Sequence, residues 1–138
     1  MRNHFRYVHF LIASCVLLNS TPAAYADECL VPKRVSVPAV CGEVINIEGD
    51  QLPGAQLTLT NEKDAFSAIS DQNGTFAMGP IPKGDYTLRA TARDYHEAVQ
   101  QIRISHAFDK HCTRKLIVKL GLSVCQSGVA IKHGGTVR

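Results

Sequence analysis

Cysteines and histidines are the residues of this chain that could do chemistry, and their spacing favours cross-linking over catalysis. The chain has five cysteines and six histidines in 138 residues. Cys29 and Cys41 precede the first clear strand pattern, and Cys112 and Cys125 bracket the last one. No CxxC pair occurs, and the histidines near Cys112 are too loosely spaced for a zinc site. The pattern predicts disulfide bonds and no metal centre.

Motifs for catalysis are missing from the sequence as well. No G-x-S-x-G nucleophile elbow occurs, and the histidines lie in no acid–base, nucleophile or metal motif. The segment Asp71-Gln72-Asn73-Gly74 resembles the start of a calcium loop, but Pro82 stands where such a loop needs a bidentate glutamate. We therefore expect no enzymatic activity, no catalytic residue and no cofactor.

The first 26 residues have the pattern of a secretory signal peptide. Arg2 and Arg6 provide positive charge, residues 10–18 are almost wholly apolar, and small residues stand at Ala24 and Ala26. We expect cleavage after Ala26. The apolar run is shorter than the roughly 20 residues that span a bilayer, so we expect no transmembrane segment after cleavage.

A lipoprotein signal is the alternative to this cleavage site. Ile12-Ala13-Ser14-Cys15 has the spacing of a lipoprotein box, in which Cys15 would be lipidated. Apolar residues continue past Cys15, and His9 interrupts the stretch before it, so we favour the simple signal peptide. The protein is predicted to be exported, either periplasmic or secreted, with anchoring at Cys15 as the alternative.

Four cysteines remain after cleavage at Ala26, an even number that predicts two disulfides in an exported chain. Four cysteines permit three pairings, which either fasten each terminal segment locally or join the two ends. We favour Cys41 with Cys112 and Cys29 with Cys125, because the first and last strands of Greek-key sandwiches commonly lie side by side. A bridge that closes so long a loop restricts the unfolded chain by roughly 4 kcal/mol in the chain-entropy model.

Charge and composition argue against nucleic-acid binding. The formal net charge is +3, and two of the basic residues lie in the predicted signal peptide, so the remaining chain is close to neutral. No cluster of lysine and arginine is interleaved with aromatic residues, so we expect no nucleic-acid partner.

Alternating apolar and polar residues between closely spaced turns predict a β-sandwich. In residues 55–60, alanine and leucines alternate with glutamine and threonines, which places one face in a core and the other in water. Residues 71–74 and 79–84 are rich in turn formers. The last clear strand is predicted at Arg114 to Leu120, and residues 123–132 are a candidate edge strand.

These signals recur at short intervals, and they predict seven or eight strands in one all-β domain. The predicted organisation is a signal peptide at 1–26, an extended lead-in at 27–39 along a sheet edge, the domain at 40–132 and a disordered tail at 133–138. A strand is also predicted from Tyr95 to Ser105, with Ala98, Ile102 and Ile104 facing inward. The polar Gln100 falls on the same face and argues against this register.

Several turn glycines and apolar residues occur together at the spacing of a known family. They are Gly42-x-Val44-x-Asn46, Gly49, Leu52-Pro53-Gly54-Ala55-x-Leu57-x-Leu59, Asp71-x-Asn73-Gly74-x-Phe76 and Ile81-x-x-Gly84-x-Tyr86-x-Leu88. Over roughly residues 40–120 the chain resembles the carboxypeptidase regulatory-like domain, one of the transthyretin-like or prealbumin-like sandwiches. The resemblance implies a seven-stranded Greek-key sandwich with a carbohydrate-binding-like fold, found in exported bacterial proteins. It implies no catalytic residues.

The same fold also includes hydrolases of a purine-degradation intermediate, which end in Tyr-Arg-Gly-Ser. This chain ends in Gly-Gly-Thr-Val-Arg, so the resemblance does not extend to their activity.

Two functions are compatible with the sequence. The favoured hypothesis is a non-catalytic module that uses sheet edges and apolar surface for protein interaction or structural support in the cell envelope. The alternative is a carbohydrate- or peptide-binding module whose loop aromatics, Phe66, Tyr95 and Phe108, contact the ligand. The expected partner is thus an envelope protein or a glycan.

Overall fold

The computed structural model describes residues 34–105 and 111–133. Within these ranges the chain is almost entirely β-strand, with one 3₁₀ turn at Val124–Gln126. The strands, in chain order, are β1 (Val35–Val37), β2 (Cys41–Ile45), β3 (Gln56–Thr60), β4 (Ala65–Ile69), β5 (Thr75–Ala77), β6 (Gly84–Thr91), β7 (Ala98–Ile104), β8 (Arg114–Lys119) and β9 (Gly128–His133). The described residues include no helix that is long and apolar enough to cross a membrane.

The nine described strands form two sheets. The first has the order β1-β7-β6-β3-β4, and the second has the order β5-β2-β8-β9. β1 pairs in parallel with β7 and β2 in parallel with β8, whereas the other neighbours are antiparallel. β4 contacts β5 and β7 contacts β9, so the sheets are stacked. The predicted all-β, prealbumin-like sandwich is confirmed.

Most of the core residues of the first sheet come from β3, β6 and β7, in which buried and exposed side chains alternate. Every second side chain of these strands is buried. Leu59 lies opposite Leu88, and Leu88 lies opposite Gln100. Each buried leucine contributes roughly 1.5–3 kcal/mol of hydrophobic stabilisation. The second sheet supplies the buried side chains of Val44, Phe76, Leu116, Val118 and Val129, and Leu120, which follows β8, is buried with them.

β2 and β8 approach each other so closely that one position admits only glycine. Gly42 is paired with Leu116, and an added Cβ on Gly42 would lie 1.9 Å from the carbonyl oxygen of Leu116. Cys41, which begins β2, forms a disulfide with Cys112, two residues before β8. The two Cα atoms are 6.1 Å apart. The bridge therefore fastens the start of β2 to the start of β8.

This is the pairing that the sequence favours for Cys41 and Cys112. Cys125 is also disulfide-bonded. Its predicted partner Cys29 lies outside the described residues, so the pairing of Cys29 with Cys125 stays a prediction.

The segment that resembles a calcium loop is a turn closed by its own aspartate. Asp71 Oδ1 accepts hydrogen bonds from the backbone N–H groups of Asn73 and Thr75, both at 2.9 Å. The hydroxyl of Thr75 donates to Asp71 Oδ2 at 2.6 Å. These bonds, led by that hydroxyl, lower the pKa of Asp71. Gly74 adopts φ +70°, which suits glycine, so the aspartate and the glycine serve the turn.

Two segments differ in detail from the sequence prediction, whereas the predicted inward position of Gln100 is confirmed. Part of the lead-in forms β1, which pairs with the outer side of β7 and buries Val37. β7 begins only at Ala98, so Tyr95 lies in the turn before it. Gln100 is buried on the inward face, where its Nε2 donates to the backbone carbonyl of Gln101 at 3.2 Å. The register of β7 is therefore the one in which Gln100 points inward.

The candidate edge strand within residues 123–132 is present as β9, preceded by the 3₁₀ turn. β9 is therefore the eighth of the predicted strands, and β1 is a ninth described strand, which was predicted only as an extended lead-in. β9 ends at His133, the first residue of the predicted tail. The predicted signal peptide, its cleavage after Ala26, the alternative lipidation at Cys15, the ligand candidate Phe108 and residues 134–138 lie outside the described ranges.

Candidate interaction surfaces

Phe66, one of the predicted ligand-binding aromatics, packs on the core. It lies on the half-buried inner face of β4, and its ring meets that of Tyr86 edge to face with centroids 6.2 Å apart. Tyr86 is buried, and its hydroxyl donates to the carbonyl of Pro82 at 2.8 Å. Burial, with a smaller effect from the carboxylate of Asp64, raises the pKa of Tyr86. Phe66 therefore closes one side of the core over a neutral tyrosine.

Tyr95, the second predicted aromatic, lies in the turn between β6 and β7. Its ring is half-buried and packs against the core, and its N–H donates to the carbonyl of Ala92 at 3.2 Å. Phe66 contacts Tyr86 near the start of β6, whereas Tyr95 follows the end of that strand. The structure therefore does not bring Phe66 and Tyr95 together into one stacking platform.

The loop between β8 and β9 is bonded to the β6–β7 turn at one end of the sandwich. The N–H of His96 donates to the carbonyl of Gly121 at 2.8 Å. The hydroxyl of Ser127 donates to the carbonyl of His96 at 3.1 Å and accepts from the N–H of Gly121 at 3.0 Å. Within the loop, Gln126 Oε1 accepts from the N–H of Leu122 at 3.0 Å. These bonds hold the two loops in one arrangement.

Two aliphatic side chains protrude from this braced loop. Leu122 is 70% exposed and Val124 is 59% exposed, and the next residue, Cys125, is disulfide-bonded. Single exposed apolar residues are normal on protein surfaces, but these two share a cross-linked loop that is hydrogen-bonded to the turn carrying Tyr95. We call Leu122, Val124 and Tyr95 the loop-end surface.

Sequence reasoning missed the exposure of Leu122 and Val124. Apolar residues at 120, 122 and 124 continue the alternation of β8, which is typical of a strand with one buried face. Of these three, only Leu120 is buried. The available signal was Gly121, where the chain folds back so tightly that an added Cβ would lie 2.2 Å from the Cβ of Gln126.

The free edge of β4 is a second candidate surface. β4 is the last strand of its sheet, and its sequence Ala-Phe-Ser-Ala-Ile contains neither charge nor proline. Ile69 at its end is 66% exposed. Exposed edges of this kind are templates for further strand pairing, which natural proteins usually block with charges or proline.

The outer face of the first sheet is polar, and its charges are paired. Arg103 donates to both oxygens of Asp85, at 2.8 and 3.0 Å, and Arg34 lies 3.7 Å from the same carboxylate. The hydrogen bond from Arg103 is the main cause that lowers the pKa of Asp85. Arg89 forms an ion pair with Glu97. Exposed pairs of this kind stabilise little, but they leave few uncompensated charges on β6 and β7.

An open cleft of about 460 Å³ lies between the β3–β4 turn and the segment before β6. Lys63, Asp64 and Lys83 line it together with Asp85, so it carries charges of both signs. Its described lining contains no histidine, cysteine or serine. Across residues 34–105 and 111–133, no group of three or more metal-ligating side chains could hold a metal ion. The cleft thus offers hydrogen-bonding groups and charged groups of both signs.

Comparison with known proteins finds a family model and similar solved structures. The family model described as carboxypeptidase regulatory-like domain matches residues 39–112. 5-Hydroxyisourate hydrolase of Klebsiella pneumoniae is structurally similar, with a TM-score of 0.49 and 16% sequence identity over 73% of this chain and 96% of the hydrolase chain. At these values the similarity says nothing about activity. No curated protein is significantly similar in sequence.

Proposed function

The chain belongs to the carboxypeptidase regulatory-like domain family, and from this membership we propose that it is a non-catalytic, exported module that binds another protein of the cell envelope. The family consists of non-catalytic β-sandwich modules. The proposed function is therefore binding, and it requires a surface that can contact a partner.

The loop-end surface carries the proposal. Leu122 and Val124 expose most of their apolar area to water, and burying such a side chain against a partner yields roughly 1.5–3 kcal/mol. Association normally costs the ordering of interface side chains and loops. Here the backbone is already held by its bonds to His96 and Ser127 and by the bridge at Cys125. A rigid apolar tip is the arrangement that loses least on docking to an apolar patch of a partner protein.

Export is the second part of the proposal. It rests on the signal-peptide pattern of residues 1–26, and the disulfide between Cys41 and Cys112 supports it because such bonds persist in oxidising compartments. Intact mass spectrometry of the exported protein, without reduction, tests it. We expect a chain that begins at Asp27 and is lighter by four hydrogens than the reduced form. A chain that begins at a lipidated Cys15 would instead indicate membrane anchoring.

Site-specific photo-crosslinking tests the binding role in the cells that produce the protein. We place a photo-crosslinking amino acid at position 124 and, as a control, at Gln72, an exposed turn residue. Position 124 should yield a crosslinked species of one discrete mass, and position 72 should not. Adding Leu122→Asp should remove that species, because a charge in the apolar contact is costly to bury.

A matched charge control separates loss of contact from loss of folding. Gln72→Asp adds the same charge at an exposed site and should leave the crosslink at position 124 intact. Urea unfolding should show that both variants remain folded. If no discrete species forms at position 124, or if Leu122→Asp leaves it unchanged, the loop-end surface is not the binding surface.

Carbohydrate or peptide binding is the second candidate, and one observation favours it. The side chain of Tyr95 is partly exposed in the β6–β7 turn, so a sugar or peptide could stack on its ring. A glycan array and a peptide library probed with the exported protein test this function. Binding that Tyr95→Ala abolishes and Leu122→Asp spares would favour the ligand-binding module over the protein-binding one.

A further inference from the structure

The edge of β4 differs from the other sheet edges of the described chain. β1 and β5 are edge strands of only three residues, and β9 carries Lys132 and His133. β4 presents five residues without a charge. β4 and β5 are in contact and form one side of the sandwich, whereas β1 and β9 form the opposite side. The described chain begins just before β1 and ends with β9, so both of its ends lie away from β4. Among the described residues, no strand pairs with its outer side.

The backbone groups that face outward from β4 can be identified. Ser70 directs its backbone toward β3, since its N–H donates to Ala55 and its carbonyl accepts from Gly54, both at 2.9 Å. Successive residues of a strand direct these groups to opposite sides. The N–H and carbonyl groups of Ala65, Ser67 and Ile69 therefore point away from the sheet.

These three residues are arranged symmetrically about Ser67, so the edge complements itself. In an antiparallel pair of two β4 strands centred on Ser67, Ala65 of one copy lies opposite Ile69 of the other, and Ser67 faces Ser67. The three pairs would exchange six backbone hydrogen bonds. On the inner face, Phe66 lies opposite Ala68. Each large side chain thus meets an alanine, and no bulky pair collides.

The charges that flank β4 all lie outside the strand. Glu62, Lys63 and Asp64 lie in the turn before it, and Asp71 lies in the turn after it. The five residues of the pairing carry no charge, so no like charges face each other within it. A second copy of the chain therefore matches this edge in backbone and in side-chain size.

We propose that two copies of the chain associate through antiparallel pairing of their β4 strands about Ser67, which joins two five-stranded sheets into one continuous sheet. Pairing in this way removes the exposed edge that would otherwise recruit strands without specificity. The loop-end surface has no residue in β4, so this association is independent of the proposed binding function.

Analytical ultracentrifugation over a concentration series, with the exported protein, tests the proposal. The wild-type chain should shift from monomer to dimer as concentration rises. Ser67→Lys places two like charges opposite each other at the centre and should raise the dimer dissociation constant at least about tenfold. Ser67→Glu should do the same. Thr58→Lys, on the same outer face but on β3, should leave the dissociation constant unchanged.

Mixing the two charge variants distinguishes pairing from a structural defect. An equimolar mixture of Ser67→Lys and Ser67→Glu should form a heterodimer, because the central charges are then opposite, although each variant alone is monomeric. A chain that stays monomeric at every concentration overturns the proposal. A wild-type dimer that both substitutions leave intact, or a mixture that shows no rescue, also overturns it. Leu122→Asp should leave the dimer unchanged, so the two proposals can fail separately.

Discussion

Ser70 carries a buried hydroxyl, and removing that hydroxyl tests whether its hydrogen bonds stabilise the end of β4. It is 4% exposed and follows the last residue of the strand. Its Oγ accepts a hydrogen bond from the N–H of Ala55 at 2.9 Å and donates one to the carbonyl of Leu52 at 2.6 Å. The hydroxyl therefore connects the β2–β3 loop to the end of the edge strand. Ser70→Ala removes both bonds and no carbon atom.

The expected loss of stability depends on the backbone groups that lose their hydrogen-bond partner. Ala55 is fully buried, so its N–H loses its partner in a site without water, which costs about 1–3 kcal/mol. Leu52 is only half-buried, so its carbonyl can bind water and adds less. The void left by one oxygen atom is small, so it adds little to this cost. We expect the free energy of unfolding to fall by about 2–3 kcal/mol, or roughly 10–20 °C in Tm for a domain of this size.

Urea unfolding and thermal unfolding, each followed by circular dichroism, measure this loss. Ser36→Ala is the matched control, because Ser36 lies at an exposed position of β1, and it should change the free energy of unfolding by less than about 0.5 kcal/mol. If Ser70→Ala costs less than about 1 kcal/mol, the two bonds do not hold the end of β4, and the reasoning fails.

Two further perturbations have expected outcomes. Gly42→Ala places a Cβ 1.9 Å from the carbonyl oxygen of Leu116 and should lower the free energy of unfolding, measured with urea, by at least about 3 kcal/mol. The control Gly79→Ala meets no atom within 4 Å, and its free energy of unfolding should stay within about 1 kcal/mol of the parent. Equal losses of stability in the two variants would refute the close approach of β2 and β8. Since the folded state lowers the pKa of Asp71 below its ordinary value of 3.8, its contribution should be complete above pH 3.8 and lost as pH falls toward the lower folded pKa. Urea unfolding over a pH series should therefore show that Asp71→Asn is less stable than the parent near neutral pH and that the two converge in acid; a difference that stays constant with pH would contradict this.

Elements with strict alternation could be predicted closely from the sequence. β3 and β8 lie within a residue or two of their predicted bounds, because their apolar residues repeat with the period of a strand and face one core. β1 was predicted only as an extended lead-in, since three residues beside Pro38 have too little pattern to indicate a strand. Its pairing comes from the free edge of β7, which lies more than sixty positions along the chain.

The candidate site was harder to predict than the fold. Phe66 and Tyr95 were chosen because aromatic residues near turns often contact ligands, but the small core uses both rings as partial cover. Leu122 and Val124 continue the alternation of β8 and look like core residues in the sequence. Their exposure follows from the 3₁₀ turn at Val124–Gln126, which carries the chain away from the second sheet before it returns as β9.

The sequence by itself determined the class of structure: β-strands, their inward faces, the turn at Asp71 to Gly74 and a cysteine content suited to disulfides. These follow from local rules, because a period of two, a turn residue or a positive φ involves only neighbours in the chain. The tertiary structure alone decided that β2 lies parallel to β8 and that β4 and the loop-end surface remain open. It also selected the favoured pairing of Cys41 with Cys112 from the three pairings that four cysteines permit. Such features depend on which distant segments come together, and a side chain is buried only where another layer covers it.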